Sequence, residues 1–441
     1  MRTALTGVVV IALMGAWGCG KSVPTPEKSA ATAGAGVASA AGAATVTDKP
    51  SAEKPAAEPA GPPKKILLWH AYRDKERQAL DTLLVAWNNK HPEIQVTALA
   101  VPFDALVDKV QVTVPRGNGP DLIIFAHDKI GAWSRDRLIQ PLGEWATKDR
   151  LRRFLPQTVM PLVFERAVYG LPVAFKSLVL FYNKALVETP PTTMAELIEM
   201  AKKHTDAKGG KFGLGYDSAD LYQHAAILHA YGGRVWDDAA GAMAIDSPGA
   251  VEALMVARDL HKKHKIVPKG LTGFVITAMF NDGNVPFVFN GPWFVPEIDP
   301  KVKWGVALMP KAPNSKPLTP YLGSEALLLS AKTKEREAAL TIIDYLTSDE
   351  AALVRLQKGS QLVANRKIYE NARWAGDPVI KVFRAQAEIS VPMPNAAEAN
   401  VAWQPYGSAL RKVIFGDAKA ADALKAAAAQ ADAALAKRGK Q

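Results

Sequence analysis

After residue 63 the sequence changes character within two residues, from a stretch almost free of large apolar side chains to Lys65-Ile66-Leu67-Leu68-Trp69. A short, unbroken apolar run of this kind predicts a strand buried on both faces. Leu80, Leu83, Leu84 and Trp87 then stand at i, i+3, i+4 and i+7, the apolar face of a helix. Ile94-Gln95-Val96-Thr97 predicts a second strand, and Asp121-Leu122-Ile123-Ile124-Phe125 a third. Strands separated by helices join through crossovers, so the expected class is α/β, with mostly parallel sheets flanked by helices. The pattern resumes downstream. Thr193-Met194-Ala195-Glu196 has the spacing of a capping box ahead of a helix. Val285-Pro286-Phe287-Val288-Phe289, residues 302–308 and residues 326–329 predict further strands. From Thr333 onward helices dominate, ending in an Ala-rich segment over 418–436. No internal repeat is present.

The first 63 residues carry an address and a tether. Arg2 precedes an apolar stretch from Leu5 to Leu13, small residues follow, and the chain's single cysteine stands in Gly18-Cys19. That layout is a secretory signal over residues 1–18, too short to span a bilayer as a mature helix. A cysteine in this position resembles a bacterial lipobox, with Ala16 and Trp17 departing from its usual residues; the resemblance implies a lipid on Cys19. One cysteine excludes an intramolecular disulfide. Residues 21–63 are rich in Ala, Pro, Gly, Ser, Thr, Lys and Glu. Such a composition cannot bury enough apolar surface to offset chain entropy, so residues 19–63 are expected to form a disordered tether. Its reach is roughly 35 Å for a flexible chain of that length.

The formal charge is +11, but basic and acidic residues alternate, as in Arg73-Asp74-Lys75-Glu76-Arg77. That interspersion reads as a solvated basic surface, and no nucleic-acid motif accompanies it. No phosphate-cradling Gly-rich loop and no G-x-S-x-G elbow occurs. His261 and His264 stand at i,i+3, but Lys262 and Lys263 between them make a cation site unattractive. Neither metal nor cofactor is expected.

Aromatic and polar residues gather instead where predicted strands end. They are Trp69-His70-Ala71-Tyr72-Arg73-Asp74-Lys75, Phe125-Ala126-His127-Asp128-Lys129, Asn290-Gly291-Pro292-Trp293 and Trp403-Gln404-Pro405-Tyr406, with Asp220 and Tyr222 as a weaker fifth set. In open α/β sheets ligands bind beyond the carboxyl ends of strands. A pyranose offers an apolar face that stacks on rings and a fringe of hydroxyls that bonds to charged groups, and this residue mixture suits it. Taken singly, each ring equally fits a place in the core. Three other readings stay open: a non-sugar solute such as a polyamine or iron complex, a glycan hydrolase using Asp128 and Asp220 as its carboxylates, and a surface scaffold held by the tether.

Four segments also resemble, in order and near-equal spacing, the bacterial maltose/maltodextrin-binding proteins. They are Gly119-Pro120-Asp121 through Asp128-Lys129, Pro172-Val173-Ala174 through Asn183-Lys184, Phe289-Asn290-Gly291-Pro292-Trp293, and Met393-Pro394-Asn395 with Trp403 ten residues after Met393. The resemblance covers the chain from about Lys65 to its end. It implies a two-lobed periplasmic-binding-protein fold: residues 65–173 with 327–372 in one lobe, 178–320 with 378–441 in the other, closing over an oligosaccharide without chemistry. Position by position it implies Asp74 and Lys75 as hydroxyl binders, with Tyr72 and Arg73 beside them. Phe125 takes the place of a stacking Trp, followed by Ala126, Asp128 and Lys129. Asp220 and Tyr222 match an acid and a stacking Tyr, and Trp293 and Trp403 the principal stacking rings, with Tyr406 nearby. Lys176 stands where maltose binders carry Glu, and Gly407 where they carry Arg; these departures either compensate each other across the cleft or mean a different oligosaccharide. The implied partners are a sugar, an inner-membrane ABC permease and, through the lipid, a membrane; a periplasmic monomer with no nucleic-acid partner is expected.

Overall fold

A computed structural model describes residues 62–237 and 239–438. The signal segment, Cys19 and all but the end of the tether lie outside the described residues. Strand Lys64–His70 pairs in parallel with Ile94–Ala100 on one side and Leu122–Ala126 on the other. Between the first two strands runs helix Asp74–Lys90, and Leu80, Leu83, Leu84 and Trp87 are all buried, as their spacing predicts. They pack toward helix Asp349–Gly359.

The next member of this sheet arrives from far down the chain. Strand Tyr321–Ser330 lies antiparallel to Leu122–Ala126 on one edge, and antiparallel to strand Gly170–Lys176 on the other. A second sheet has the order Trp304–Ala307, Val179–Asn183, Phe287–Asn290, Leu214–Gly215, with its last pair parallel and the others antiparallel. Parallel pairing thus holds where a helix carries the chain back across a sheet. Strands Gly170–Lys176 and Val179–Asn183, joined without such a crossover, pair antiparallel with Tyr321–Ser330 and Phe287–Asn290, so the sheets are mixed rather than mostly parallel.

Two expected strands have different bounds for local reasons. Pro286 has no N–H to donate, so the ladder of Phe287–Asn290 begins after it, although the Pro286 carbonyl still accepts from Asn183 at 2.9 Å. Tyr321–Ser330 is longer than 326–329 because Gly323, Ser324 and Glu325 interrupt its apolar run without interrupting its hydrogen bonds. The capping box is present: Thr193 accepts from the Glu196 N–H and Glu196 accepts from the Thr193 N–H, each at 3.2 Å. Such a cap stabilises a helix by about 1 kcal/mol.

Three segments run between the two sheets side by side. Ser177 and Leu178 alone separate Gly170–Lys176 from Val179–Asn183. The Ser177 hydroxyl is 2.9 Å from that of Ser390, at the end of helix Pro378–Ile389. Val391–Pro392 then pairs in parallel with Tyr321–Leu322. The chain after this pair folds onto the first sheet: Asn395 donates to the carbonyls of Pro161 and Val163 at 2.9 Å and accepts from Gly131 N–H at 3.0 Å. A Cβ on Gly131 would lie 2.2 Å from the Asn395 oxygen, so this contact requires glycine.

Several histidines are buried and neutral. Burial lowers His70 and His229 to about 4, His224 to about 3 and His261 to about 4. An unfolded chain takes up these protons near pH 6.5, the folded one only near 4, so acidification through that window favours unfolding. The raised carboxyls of Glu76, Asp217 and Asp220 act in the opposite sense but are fewer. The melting temperature is expected to fall progressively from pH 6.5 to pH 4.5 in a calorimetric series; a flat profile would contradict the assignment of these rings as neutral.

Candidate functional site

Two loops leave the carboxyl ends of neighbouring parallel strands, and they carry the charged side chains of interest. After Lys64–His70, the Tyr72 hydroxyl donates to Glu325 at 2.8 Å, while Arg73, Asp74 and Lys75 are exposed. Asp74 opens helix Asp74–Lys90 at φ +41°, a left-handed conformation that Asp tolerates better than most residues. Backbone strain of this kind gathers at ligand-contacting turns. After Leu122–Ala126, Asp128 is 5% exposed and its carboxylate lies 2.7 Å from Lys129 Nζ. Lys129 Nζ also donates to the Asn400 side-chain oxygen at 2.6 Å, and the Asn400 amide returns a bond to the Asp128 carbonyl at 2.9 Å. Ala126 is half-buried beside them.

Between Asp128 and the strand, His127 acts as a pin. The Ser324 N–H donates to its Nδ1 at 2.9 Å and its Nε2 faces the Met393 carbonyl at 2.8 Å. This pattern fits the neutral imidazole with its proton on Nε2, and burial holds His127 below its ordinary pKa.

Opposite stands a row of rings. Trp293 is 6.1 Å from Tyr222, Tyr222 is 6.2 Å from Tyr321, and Tyr321 is 6.2 Å from Trp403 between centroids. Trp293 follows strand Phe287–Asn290, Tyr222 lies in the first turn of helix Leu221–Ala230, and Trp403 opens helix Trp403–Ile414. Trp293, Tyr222 and Trp403 are half-buried; Tyr321 is buried and backs the row. A Cβ on Gly291 would lie 2.2 Å from the Trp293 ring, so glycine there lets the indole fold back over its own turn. Burial, then the charges of Asp220 and Asp128, raise the Tyr222 hydroxyl above its ordinary pKa. Asn400, three residues before Trp403, bonds Lys129, and this ties the Asp128–Lys129 turn to the end of the ring row.

Not every expected residue is in that region. Phe125 is 1% exposed, its ring packed between Phe103 and Trp133 at centroid distances of 4.6 and 5.3 Å. Phenylalanine is smaller than the expected indole and is drawn into the interior rather than left as a surface platform. Tyr406 is fully buried: it lies one turn into helix Trp403–Ile414, where helix Leu221–Ala230 covers it, its ring 5.9 Å from that of His224. Asp220 stays beside Tyr222 at the edge of that region, exposed, with one oxygen capping helix Leu221–Ala230 by accepting from Gln223 N–H at 2.9 Å. His261, set aside as a cation ligand, instead shares a 2.6 Å hydrogen bond with Ser218.

Lys176 closes the floor between the two halves. Its ammonium lies 3.4 Å from Glu76 and 3.4 Å from Glu325, with side chains 26%, 21% and 14% exposed. The Lys–Glu exchange at 176 is thus neutralised locally by two carboxylates, not by a change at Gly407. At Gly407, a Cβ would lie 3.6 Å from the guanidinium of Arg411, one turn further along the same helix. Glu76, Glu325, Tyr321 and Asn400 were not singled out from sequence. Glu325 carried a signal: one acid within Tyr321-Leu322-Gly323-Ser324-Glu325-Ala326-Leu327-Leu328-Leu329 must have a partner if that run is a buried strand.

The family profile described as "Bacterial extracellular solute-binding protein" matches residues 73–353, more than half of the chain. The chain belongs to this family. Among curated relatives it is 26% identical over 363 residues to a maltotriose-binding protein of Pyrococcus abyssi, spanning 81% of this chain and 79% of the relative. It is 25% identical over 378 residues to a galactooligosaccharide-binding protein of Bacillus subtilis, spanning 82% and 88%. It is 27% identical over 337 residues to a maltooligosaccharide ABC transporter solute-binding lipoprotein of Streptococcus pneumoniae, spanning 72% and 78%. Among solved structures, the maltotriose-binding protein of Thermus thermophilus bound with maltotriose superposes with a TM-score of 0.77 at 26% identity, over 84% of this chain and 100% of that one. The α/β fold expected from strand alternation, and its two-lobed form, are those of these solute-binding proteins.

Removing the ammonium at 176 leaves two carboxylates facing each other in a partly dry floor. Lys176→Met is expected to destabilise the protein by about 2–4 kcal/mol in urea unfolding, and a second change, Glu76→Gln, to recover part of that loss. A loss below about 0.5 kcal/mol, the size of an ordinary surface change, would show that the cluster contributes little.

Proposed function

We propose that this chain is the receptor of an ABC-type importer, capturing a maltooligosaccharide between its two halves. The observation that carries this reading is the row Trp293, Tyr222 and Trp403 placed opposite Asp128 and Lys129. Rings with half-exposed faces suit the apolar faces of successive pyranoses, while Asp128, Lys129, Arg73, Asp74 and Lys75 suit their hydroxyls. Lys176 contributes its charge from the floor, already balanced by Glu76 and Glu325. The halves divide as residues 65–173 with 327–372 and residues 178–320 with 378–441. Names of the relatives support the sugar class, and the Streptococcus pneumoniae lipoprotein supports a permease partner and a lipid anchor, which this chain would carry at Cys19 in the periplasm behind its signal segment.

The mechanism is a population shift. A ligand that touches both halves makes all its contacts only when they approach, so it stabilises the closed form by its differential affinity. The permease then distinguishes loaded from empty receptor by shape. No step in this scheme makes or breaks a bond of the sugar, so the protein acts without catalysis.

Lys176 and Gly407 depart from the maltose-type pattern, and a relative of comparable similarity is named for galactooligosaccharides. The test therefore compares both classes. Isothermal titration of the protein with maltotriose should show saturable one-to-one binding, stronger than with a β-galactooligosaccharide of equal length. Trp293→Ala should weaken it by about 1–3 kcal/mol, roughly 5- to 150-fold. Preference for the galactooligosaccharide would reassign the ligand, and unchanged affinity in the variant would remove Trp293 from the site. Release of new reducing ends on incubation would replace the receptor reading with hydrolysis.

A further inference from the structure

The first sheet places one more aromatic side chain at the same end. Strand Ile94–Ala100 is the parallel neighbour of Lys64–His70, and the loop leaving its carboxyl end is anchored by Val101 N–H donating to the His70 carbonyl at 2.9 Å. Two residues later Phe103 opens helix Phe103–Thr113. This loop stands beside the turns that carry Tyr72 to Lys75 and Ala126 to Lys129, all three at carboxyl ends of adjacent strands.

Phe103 lies flat on Phe125, with centroids 4.6 Å apart and planes 19° from parallel. The inner ring is 1% exposed and the outer one 54% exposed. An outward phenyl is costly to leave in water unless something covers it, at roughly 25 cal/mol per Å² of apolar surface. Its own helix does not need it for the core: Leu106 and Val110 make that contact. Pro102 before it fixes the backbone on entry to the helix, and the stack on Phe125 holds the ring in place.

We infer that Phe103, not Phe125, is the sugar-stacking ring of the first half, a platform across the cleft from the row Trp293, Tyr222 and Trp403. This rests on the oligosaccharide reading and adds a subsite to it. The Phe125–Trp133 pair beneath makes the platform rigid, and Phe103 completes the stack outward.

The test is titration of the full-length protein with maltotriose and maltotetraose, alongside Phe103→Ala, Phe103→Leu and Phe103→Trp, each with its melting temperature. The expected result is loss of roughly tenfold in affinity for both Ala and Leu, the size of one lost aromatic stack, with Phe103→Trp binding at least as tightly as the parent. Leu keeps an apolar cover over Phe125 without a planar face, so it separates stacking from mere cover. If Leu binds like the parent, or if both Ala and Leu do, the platform is overturned, and a lower melting temperature without an affinity change would assign Phe103 to stability alone. If the unaltered protein binds neither sugar, it is the maltooligosaccharide reading that fails, and that outcome is seen before any variant is compared.

Discussion

Strand Tyr321–Ser330 is bonded on both edges, to Leu122–Ala126 and to Gly170–Lys176, and most of the cleft is referenced to it. At its start Tyr321 lies between Tyr222 and Trp403. In its middle Ser324 bonds His127, and Glu325 holds both Tyr72 and Lys176. One strand thus carries the backing of the aromatic row, the pin behind Asp128 and the counter-charge of the floor. A shift of its register by one residue would turn Glu325 to the opposite face and break these contacts together. The geometry of the site is therefore as well fixed as a sheet, although its outermost residues are on loops.

Charge and burial are balanced at the floor of the cleft. An ammonium between two carboxylates and a tyrosine is stable only because each group has a partner; replacing one leaves an unpaired charge in a poorly hydrated place. The cluster is also where the connection through Ser177 and Leu178 leaves Lys176.

Much of the architecture was legible in the sequence. Ile66 to Trp69, the helical spacing of Leu80 to Trp87, and Thr193 with Glu196 each specify their element through local physics alone. So did the three turns at strand ends, because rings next to charges are unusual where a core would suffice. What escaped depended on long-range packing. Phe125 is indistinguishable in sequence from an exposed platform; Phe103 from a neighbouring loop and Trp133 enclose it. Asn400 carries no local mark, and its role follows from Lys129, 271 residues earlier. Tyr406 sits one turn from Trp403 on nearly the same face, and its burial comes from His224 on the neighbouring helix Leu221–Ala230, a contact with no local mark. The antiparallel pairing of Tyr321–Ser330 was hidden because Gly323 to Glu325 break the apolar run that would have announced its length.

If one sugar is gripped from both sides, its binding must shield both sides at once. Hydrogen exchange of the full chain with and without maltotriose measures this directly. The account predicts slowed exchange in the turns at 71–75 and 126–129 and, in the same experiment, around 220–223, 291–294 and 400–404. Protection confined to one of these two groups, or absent at saturating sugar, would contradict it.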